Sequence, residues 1–149
     1  MATADVPKKS ADDSQEVRAQ WIDRLSALVK DIEGWGQELG WATRRIEKKM
    51  EDSRIGLYKA PALILQKETV KIMLEPIARS APGAEGVVDL YLMPAFDDIA
   101  SLYYLDGIWK LHYMFPSSHT VATIREAESR QLDKTTLGDV LDEMIKNAQ

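Results

Sequence analysis

The stretch that decides the fold runs from Ser101 to Tyr113 and has the sequence SLYYLDGIWKLHY. Two runs of strand-favouring residues meet at Asp106-Gly107, a dipeptide that tolerates the positive φ angles of a type I′ turn. A two-residue turn at this point sets Leu105 opposite Ile108, and the remaining pairs follow in order. The stretch therefore predicts a β-hairpin, and with it an antiparallel sheet.

The two faces of this hairpin differ in chemistry. Because side chains alternate along a strand, one face carries Leu102, Tyr104, Trp109, Leu111 and Tyr113. The other face carries Ser101, Tyr103, Leu105, Ile108, Lys110 and His112. The first face is typical of a core. The second combines apolar and polar groups, so Tyr103, Lys110 and His112 are candidates for binding a ligand or a partner.

Apolar stripes predict a helix at each end of the chain. The N-terminal stripe has the three- and four-residue spacing of one helix face and consists of Trp21, Leu25, Leu28, Ile32, Trp35 and Leu39. The C-terminal stripe, within Thr136 to Ala148, consists of Leu137, Val140, Leu141, Met144 and Ile145. Ser10 with Asp13 and Thr136 with Asp139 are the predicted caps. Residues 1–10 are predicted to be a disordered tail before a single domain at residues 11–149.

Between these helices the pattern predicts about six strands. Ala42 to Asp52 is interpreted as a strand although it is rich in helix formers, and Pro61 indicates an edge or a bulge in the next apolar segment. A turn at Lys67-Glu68 would align Leu63 with Ile72. Ser117 to Gln131 is interpreted as a polar connection, with one helical turn considered around Val121 and Ile124. The predicted fold is α+β, with a single antiparallel sheet covered largely on one side by the N-terminal and C-terminal helices.

Composition narrows the class of protein. The chain has 149 residues, 45% hydrophobic and 29% charged, as in an ordinary soluble domain. It has no cysteine, which excludes disulfides and thiolate chemistry. No signal peptide is evident, and no stretch reaches the ~18 apolar residues that span a membrane. These features predict a cytoplasmic protein without membrane contact.

Charge argues against nucleic acid as a partner. The 19 basic and 24 acidic residues give a net charge of −5 and a pI near 5.1, whereas duplex-DNA binders present a broad basic field. The densest basic segment contains Arg44, Arg45, Lys48 and Lys49. Interleaved glutamates make this segment more typical of a solvated edge strand than of an RNA-binding surface.

The densest polar constellation combines Glu75, Arg79, Glu85 and Asp89. These residues would meet if their two segments paired around the intervening loop. The cluster is then either a charge-assisted network that holds the loop, or a set of carboxylates collected for a divalent metal or a small ligand.

The motifs that contain this cluster also carry a resemblance. Leu74-Glu75-Pro76-Ile77-Ala78-Arg79 and Gly83-Ala84-Glu85-Gly86-Val87-Val88-Asp89-Leu90-Tyr91 are followed by Pro94 and a hairpin with Trp109. Together they resemble a group of small uncharacterised bacterial proteins, over about residues 41–115. The resemblance supports the strand interpretation and implies no activity, cofactor or partner.

Other catalytic motifs are incomplete in this sequence. Asp89 resembles the first acid of a nuclease, but the next predicted strand carries no acid–lysine pair. Gly83 to Gly86 lacks the lysine and hydroxyl of a phosphate loop. His112 and His119 lie seven residues apart, and Ser118 beside His119 is not a nucleophile–base pair on adjacency alone. No cofactor and no metal site are predicted.

Two hypotheses of function remain. The first is a non-enzymatic protein-interaction or accessory domain, with a protein partner or a second copy of the chain bound at the sheet. The alternative is a small-ligand- or divalent-metal-binding enzyme centred on Glu75, Arg79 and Asp89. The lack of a complete catalytic set favours the first and leaves the question of an enzyme open.

Overall fold

The computed structural model describes residues 6–115 and 127–148. Two helices flank a run of seven strands in this part of the chain. The elements in order are α1 (Val6–Glu38), β1 (Ala42–Asp52), β2 (Gly56–Lys67), β3 (Val70–Ala78), β4 (Val87–Leu92), β5 (Asp97–Leu105), β6 (Ile108–Met114), β7 (Ala127–Gln131) and α2 (Lys134–Asn147). The strands form one antiparallel sheet in sequence order. The predicted α+β fold is confirmed.

The hairpin that decides the fold has the predicted register. Leu105 pairs with Ile108 and Leu102 with Leu111, and Asp106 and Gly107 have φ angles of 53° and 80°. Leu102 and Leu111 are completely buried, whereas Leu105 is 40% exposed. The predicted division into a core face and an open face is therefore confirmed.

The seventh strand was missed by the sequence prediction. β7 pairs with β6 between Lys110–Gln131 and Met114–Ala127, inside the segment interpreted as a polar connection. Its sequence, AESRQ, has no apolar alternation, so its strand conformation depends on pairing with the edge of β6. The helical turn considered around Val121 and Ile124 lies outside the described residues.

The hairpin of β2 and β3 has a different register from the predicted one. Leu63 pairs with Leu74 rather than Ile72, because the two-residue turn is Glu68-Thr69, one position further along than Lys67-Glu68. Glu68 has the positive φ of 55° that such a turn requires. A shift of two residues keeps every side chain on its predicted face.

The segment around Pro61 behaves as an edge, as predicted. β2 is continuous through Pro61, and β1 is a strand over its whole predicted length. Pro61 pairs with Glu47 of β1 but lies beyond the last pair between β2 and β3, at Leu63–Leu74. Pro61, which has no N–H group, therefore removes no hydrogen bond between β2 and β3.

Both helices pack on the core face of the sheet. The predicted stripe of α1 is confirmed, with Trp21, Leu25 and Ile32 at 1% exposure or less. α1 ends in a Schellman motif at Gly40, whose φ is 91°: the N–H of Trp41 bonds to the Gly36 carbonyl at 2.9 Å. Among the described residues no helix is long and apolar enough to cross a membrane.

The helix starts differ from the predicted ones. α1 begins at Val6, before the predicted cap at Ser10 and Asp13, and includes the last five residues of the predicted tail. α2 begins at Lys134 because Asp133 accepts the backbone N–H of Thr136 at 2.8 Å. This bond, with a further bond to the Thr136 side chain, holds the pKa of Asp133 below its usual value. The predicted cap at Thr136 is therefore wrong by three residues, whereas the apolar face of α2 is confirmed.

Candidate functional site

The candidate site lies on the sheet face opposite the helices, here called the outer face. One row of side chains crosses this face from β3 to β7, because each residue pairs directly with the next: Glu75, Asp89, Ser101, His112 and Ser129. Asp89 therefore shares a face with Tyr103, Lys110 and His112. The pairing of β3 with β4 brings Glu75 and Asp89 together, as their segments suggested.

A three-residue network holds the carboxylate of Glu75. Lys48 Nζ on β1 donates to Glu75 Oε2 at 2.6 Å and to the Pro76 carbonyl at 2.9 Å. The Tyr91 hydroxyl donates to Glu75 Oε1 at 2.6 Å. Burial raises the pKa of Glu75, but the bonds from Lys48 and Tyr91 outweigh it, so this pKa lies below its usual value. Both carboxylate oxygens are thus engaged inside the chain.

Tyr91 is a donor throughout the ordinary pH range. Burial and the bond to Glu75 raise the pKa of the Tyr91 hydroxyl to about 12, so it remains protonated. Its ring packs edge-on against Phe96, with ring centroids 4.3 Å apart. Lys48 and Tyr91 were not among the predicted site residues. Tyr91 lies two positions from Asp89 and shares its face by alternation, whereas the approach of Lys48 requires the register of two further strand pairs.

Asp89 differs from Glu75 in having no ion-pair partner among the described residues. Its Oδ1 accepts a hydrogen bond from the Ser101 hydroxyl at 3.0 Å, and no lysine, arginine or histidine in the described part of the chain forms an ion pair with it. Burial raises the pKa of Asp89 above its usual value, and the neighbouring charge of Glu75 adds to this effect. The outer face therefore carries one carboxyl group that has no ion-pair partner among the described residues.

Arg79 and Glu85 lie away from this row. Arg79 Nε bonds to Asp52 Oδ2 at 3.2 Å, and both side chains are largely buried, at 22% and 16% exposure. Asp52 also accepts the backbone N–H of Arg54 at 2.7 Å, so the pair anchors the turn between β1 and β2. Glu85 is exposed in the loop before β4. Two of the four clustered residues meet as the sequence suggested, and the other two do not.

Apolar side chains surround the polar row on β5 and β6. Five of them are between 37% and 44% exposed: Ile99, Tyr103, Leu105, Ile108 and Met114. Lys110 pairs across the hairpin with Tyr103, and the ring of His112 lies 6.4 Å from the Tyr103 ring in an edge-on arrangement. Lys110 and His112 form no ion pair with any described residue. This patch, named the β5–β6 patch, contains three of the seven predicted ligand- or partner-binding candidates, namely Tyr103, Lys110 and His112.

Within residues 6–115 and 127–148, the acidic and histidine side chains do not form a group of three that could hold a metal ion. Glu75 and Asp89 are two neighbouring carboxylates, one of which is occupied by Lys48 and Tyr91. His119 lies outside the described residues.

The Glu75 network predicts a pH-dependent loss of stability. A carboxyl group whose folded-state pKa is lowered stabilises the fold above its unfolded-state pKa, and this contribution disappears as the pH falls through the folded value. We expect Glu75→Gln to lower the free energy of unfolding by about 1 kcal/mol near pH 7 and by much less near pH 3. Urea denaturation at both pH values measures this, with Glu51→Gln, an exposed strand glutamate, as the control. An equal loss at both pH values would contradict the ion-pair account.

Comparisons of the chain with family models, with curated proteins and with solved structures gave no match.

Proposed function

We propose that this chain is a non-enzymatic protein-interaction domain whose binding surface is the β5–β6 patch. The observation that carries the proposal is the exposure of Ile99, Tyr103, Leu105, Ile108 and Met114 on one face of one hairpin. Neither α1 nor α2 packs on this face. Contiguous exposed apolar side chains rimmed by polar groups are typical of protein-binding surfaces.

The composition of the patch supports protein binding rather than catalysis. Tyrosine and methionine are enriched at interfaces, and Tyr103 and Met114 lie on adjacent strands of this patch. Removal of apolar surface from water contributes about 25 cal/mol per Å2 to association before the costs of ordering. Asp89 and Lys110 supply charges, and His112 supplies a hydrogen-bonding imidazole, that can orient a partner. Glu75, the other carboxylate of the row that contains Asp89, is engaged by Lys48 and Tyr91 inside the chain.

Site-specific photo-cross-linking in cells tests the proposal. A photo-reactive phenylalanine analogue replaces Tyr103 in one variant and Leu57 in a control variant. Leu57 lies near the β1–β2 turn and is 76% exposed, against 37% for Tyr103, so random collisions would favour the control. We expect a discrete cross-linked product from Tyr103 at a yield several-fold above that from Leu57.

A double substitution tests whether the Tyr103 cross-link depends on the apolar side chains of the β5–β6 patch. Leu105→Ser with Ile108→Ser is expected to reduce the Tyr103 product because it removes two apolar contacts from the patch while leaving the turn residues intact. Equal yields from Tyr103 and Leu57, or a Tyr103 product that survives both serine substitutions, would rule out this surface as the binding site.

A further inference from the structure

The arrangement of charges on the outer face indicates which partner fits it. We propose that the partner is a second copy of this chain, packed outer face to outer face about a two-fold axis parallel to β5. This inference rests on the proposed function, because it uses the same β5–β6 patch. It adds the identity of the partner and the orientation of the two copies.

Unbalanced charges lie symmetrically on either side of β5. Asp89 on β4 has no cation partner among the described residues, and Lys110 and His112 on β6 have no carboxylate partner there. β4 and β6 are the two direct neighbours of β5 in the sheet. Each lies about 4.8 Å from β5, so acid and base are equally distant from it.

A two-fold axis along β5 brings these charges together. Rotation about this axis turns the two outer faces towards each other and exchanges the positions of β4 and β6. Asp89 then lies over the partner's His112 and close to the partner's Lys110, and the same contact repeats on the other side of the axis. Two complementary contacts form, in which the carboxylate of Asp89 meets the ammonium group of the partner's Lys110 and the imidazole of the partner's His112.

The same charges disfavour the other in-plane orientation. An axis perpendicular to the strands along the row of Asp89, Ser101 and His112 would keep β4 over β4, placing Asp89 over the partner's Asp89. Like charges facing each other in an interface are unfavourable, so of these two axes the charges favour the one along β5. Along that axis the outward side chains of β5 meet their own copies. Apart from Ser101 these are apolar or aromatic, namely Ile99, Tyr103 and Leu105, and they can pack against themselves.

The overlap of the two outer faces lies near the lower limit for a specific dimer. With the axis along β5, strands β3–β7 of the two copies face each other, and five strands about 4.8 Å apart with about seven residues each cover roughly 24 by 24 Å, or about 580 Å2. Specific protein–protein interfaces bury about 600–1,000 Å2 per partner. Pairing through the sheet edges fits less well, because β1 carries alternating charges and β7 has only five residues.

Mixing two charge variants tests this geometry in the purified protein. One variant carries Asp89→Lys, and the other carries Lys110→Asp with His112→Asp. In a dimer of either variant alone, like charges face each other at both contacts. We therefore expect the dissociation constant of that dimer to rise at least ~10-fold over that of the unmodified chain. In an equimolar mixture both contacts are complementary again. Sedimentation equilibrium should therefore show one heterodimer from two weakly associating variants.

Cysteine cross-linking measures the distance between the two copies without changing any charge and without substituting the half-buried Asp89. The chain has no cysteine, so Tyr103→Cys introduces a single thiol beside the proposed axis, and Leu57→Cys introduces one far from it. A short bis-maleimide should link two Tyr103→Cys chains at dilute concentration but not two Leu57→Cys chains. Circular dichroism confirms that each variant is folded before it is compared.

The outcomes separate this inference from the proposed function. A monomeric unmodified chain at about 100 µM, or equal cross-linking from Tyr103→Cys and Leu57→Cys, overturns the dimer. A monomer that still gives a Tyr103 photo-cross-link to a different protein leaves the binding surface intact and removes only the second copy. Loss of both the photo-cross-link and the dimer removes both.

Discussion

We expect Trp21→Ala to lower the free energy of unfolding by about 4 kcal/mol, the range measured when a buried tryptophan is truncated to alanine. Trp21 is 1% exposed and lies where α1 crosses the sheet. Its indole Nε1 donates to the Tyr58 hydroxyl at 2.9 Å, so truncation leaves both a cavity and a buried hydroxyl without its donor. Because a domain of this size has only ~5–15 kcal/mol of stability, the loss is a large part of the total.

Thermal and urea denaturation measure the effect of Trp21→Ala. At ~2–4 °C per kcal/mol for a chain of this length, the melting temperature should fall by about 8–16 °C. Trp35→Ala is the matched control, because Trp35 belongs to the same stripe of α1 but is only half-buried. Its loss should be less than half as large. Equal losses would show that burial of Trp21 and its hydrogen bond to Tyr58 do not determine the loss of stability.

The second large effect is expected at Gly86, where no space exists for a side chain. A Cβ atom at this position would lie 2.7 Å from Cζ3 of Trp21 and 3.4 Å from Cη2 of Trp109. The backbone cannot move away freely, since the Tyr104 N–H bonds to the Gly86 carbonyl at 2.9 Å and the Glu85 N–H bonds to the Tyr104 carbonyl at 2.7 Å. We expect Gly86→Ala to lower the free energy of unfolding by about 2–3 kcal/mol through overpacking.

A second glycine provides a control of opposite sign. Gly34 lies in α1, and a Cβ atom there would meet nothing within 4 Å. Gly34→Ala should therefore raise the free energy of unfolding by up to about 1 kcal/mol, because alanine is the better helix former. Urea denaturation of both variants should give shifts in opposite directions.

Coupling to Trp21 identifies the cause of the loss at Gly86. In a Trp21→Phe background the smaller ring leaves room near position 86, so Gly86→Ala should cost clearly less than it does in the unmodified chain. The same cost in both backgrounds would show that the loss comes from the backbone of the loop before β4 and not from contact with the indole.

Much of the fold follows from local patterns. Asp106-Gly107 determines the register of its hairpin because a two-residue turn leaves one pairing for the strands that it joins. The α1 stripe from Trp21 to Leu39 predicts which helix face is buried, because helical periodicity is a property of neighbouring residues. Local patterns fail where a partner decides the conformation. The β7 sequence has no strand signal of its own and becomes a strand beside β6.

The candidate site was predicted only in part, for the same reason. Alternation along β4 places Asp89 and Tyr91 on one face, and the hairpin places Tyr103, Lys110 and His112 on one face. Whether these two groups share a face depends on the pairing of β4 with β5. The ion-pair partners lie still further apart in the sequence. Lys48 on β1 pairs with Glu75, and Arg79 pairs with Asp52.

By itself, the sequence determined an acidic chain without cysteine, the two helix stripes, the central hairpin and its two faces. Turn chemistry and side-chain alternation act over a few residues, so these features can be inferred from the order of amino acids alone. Only the tertiary structure decided that Asp89, Lys110 and His112 lie on either side of β5 without ion-pair partners among the described residues. This arrangement depends on the register of β4, β5 and β6. That register is established when the whole sheet packs on α1 and α2.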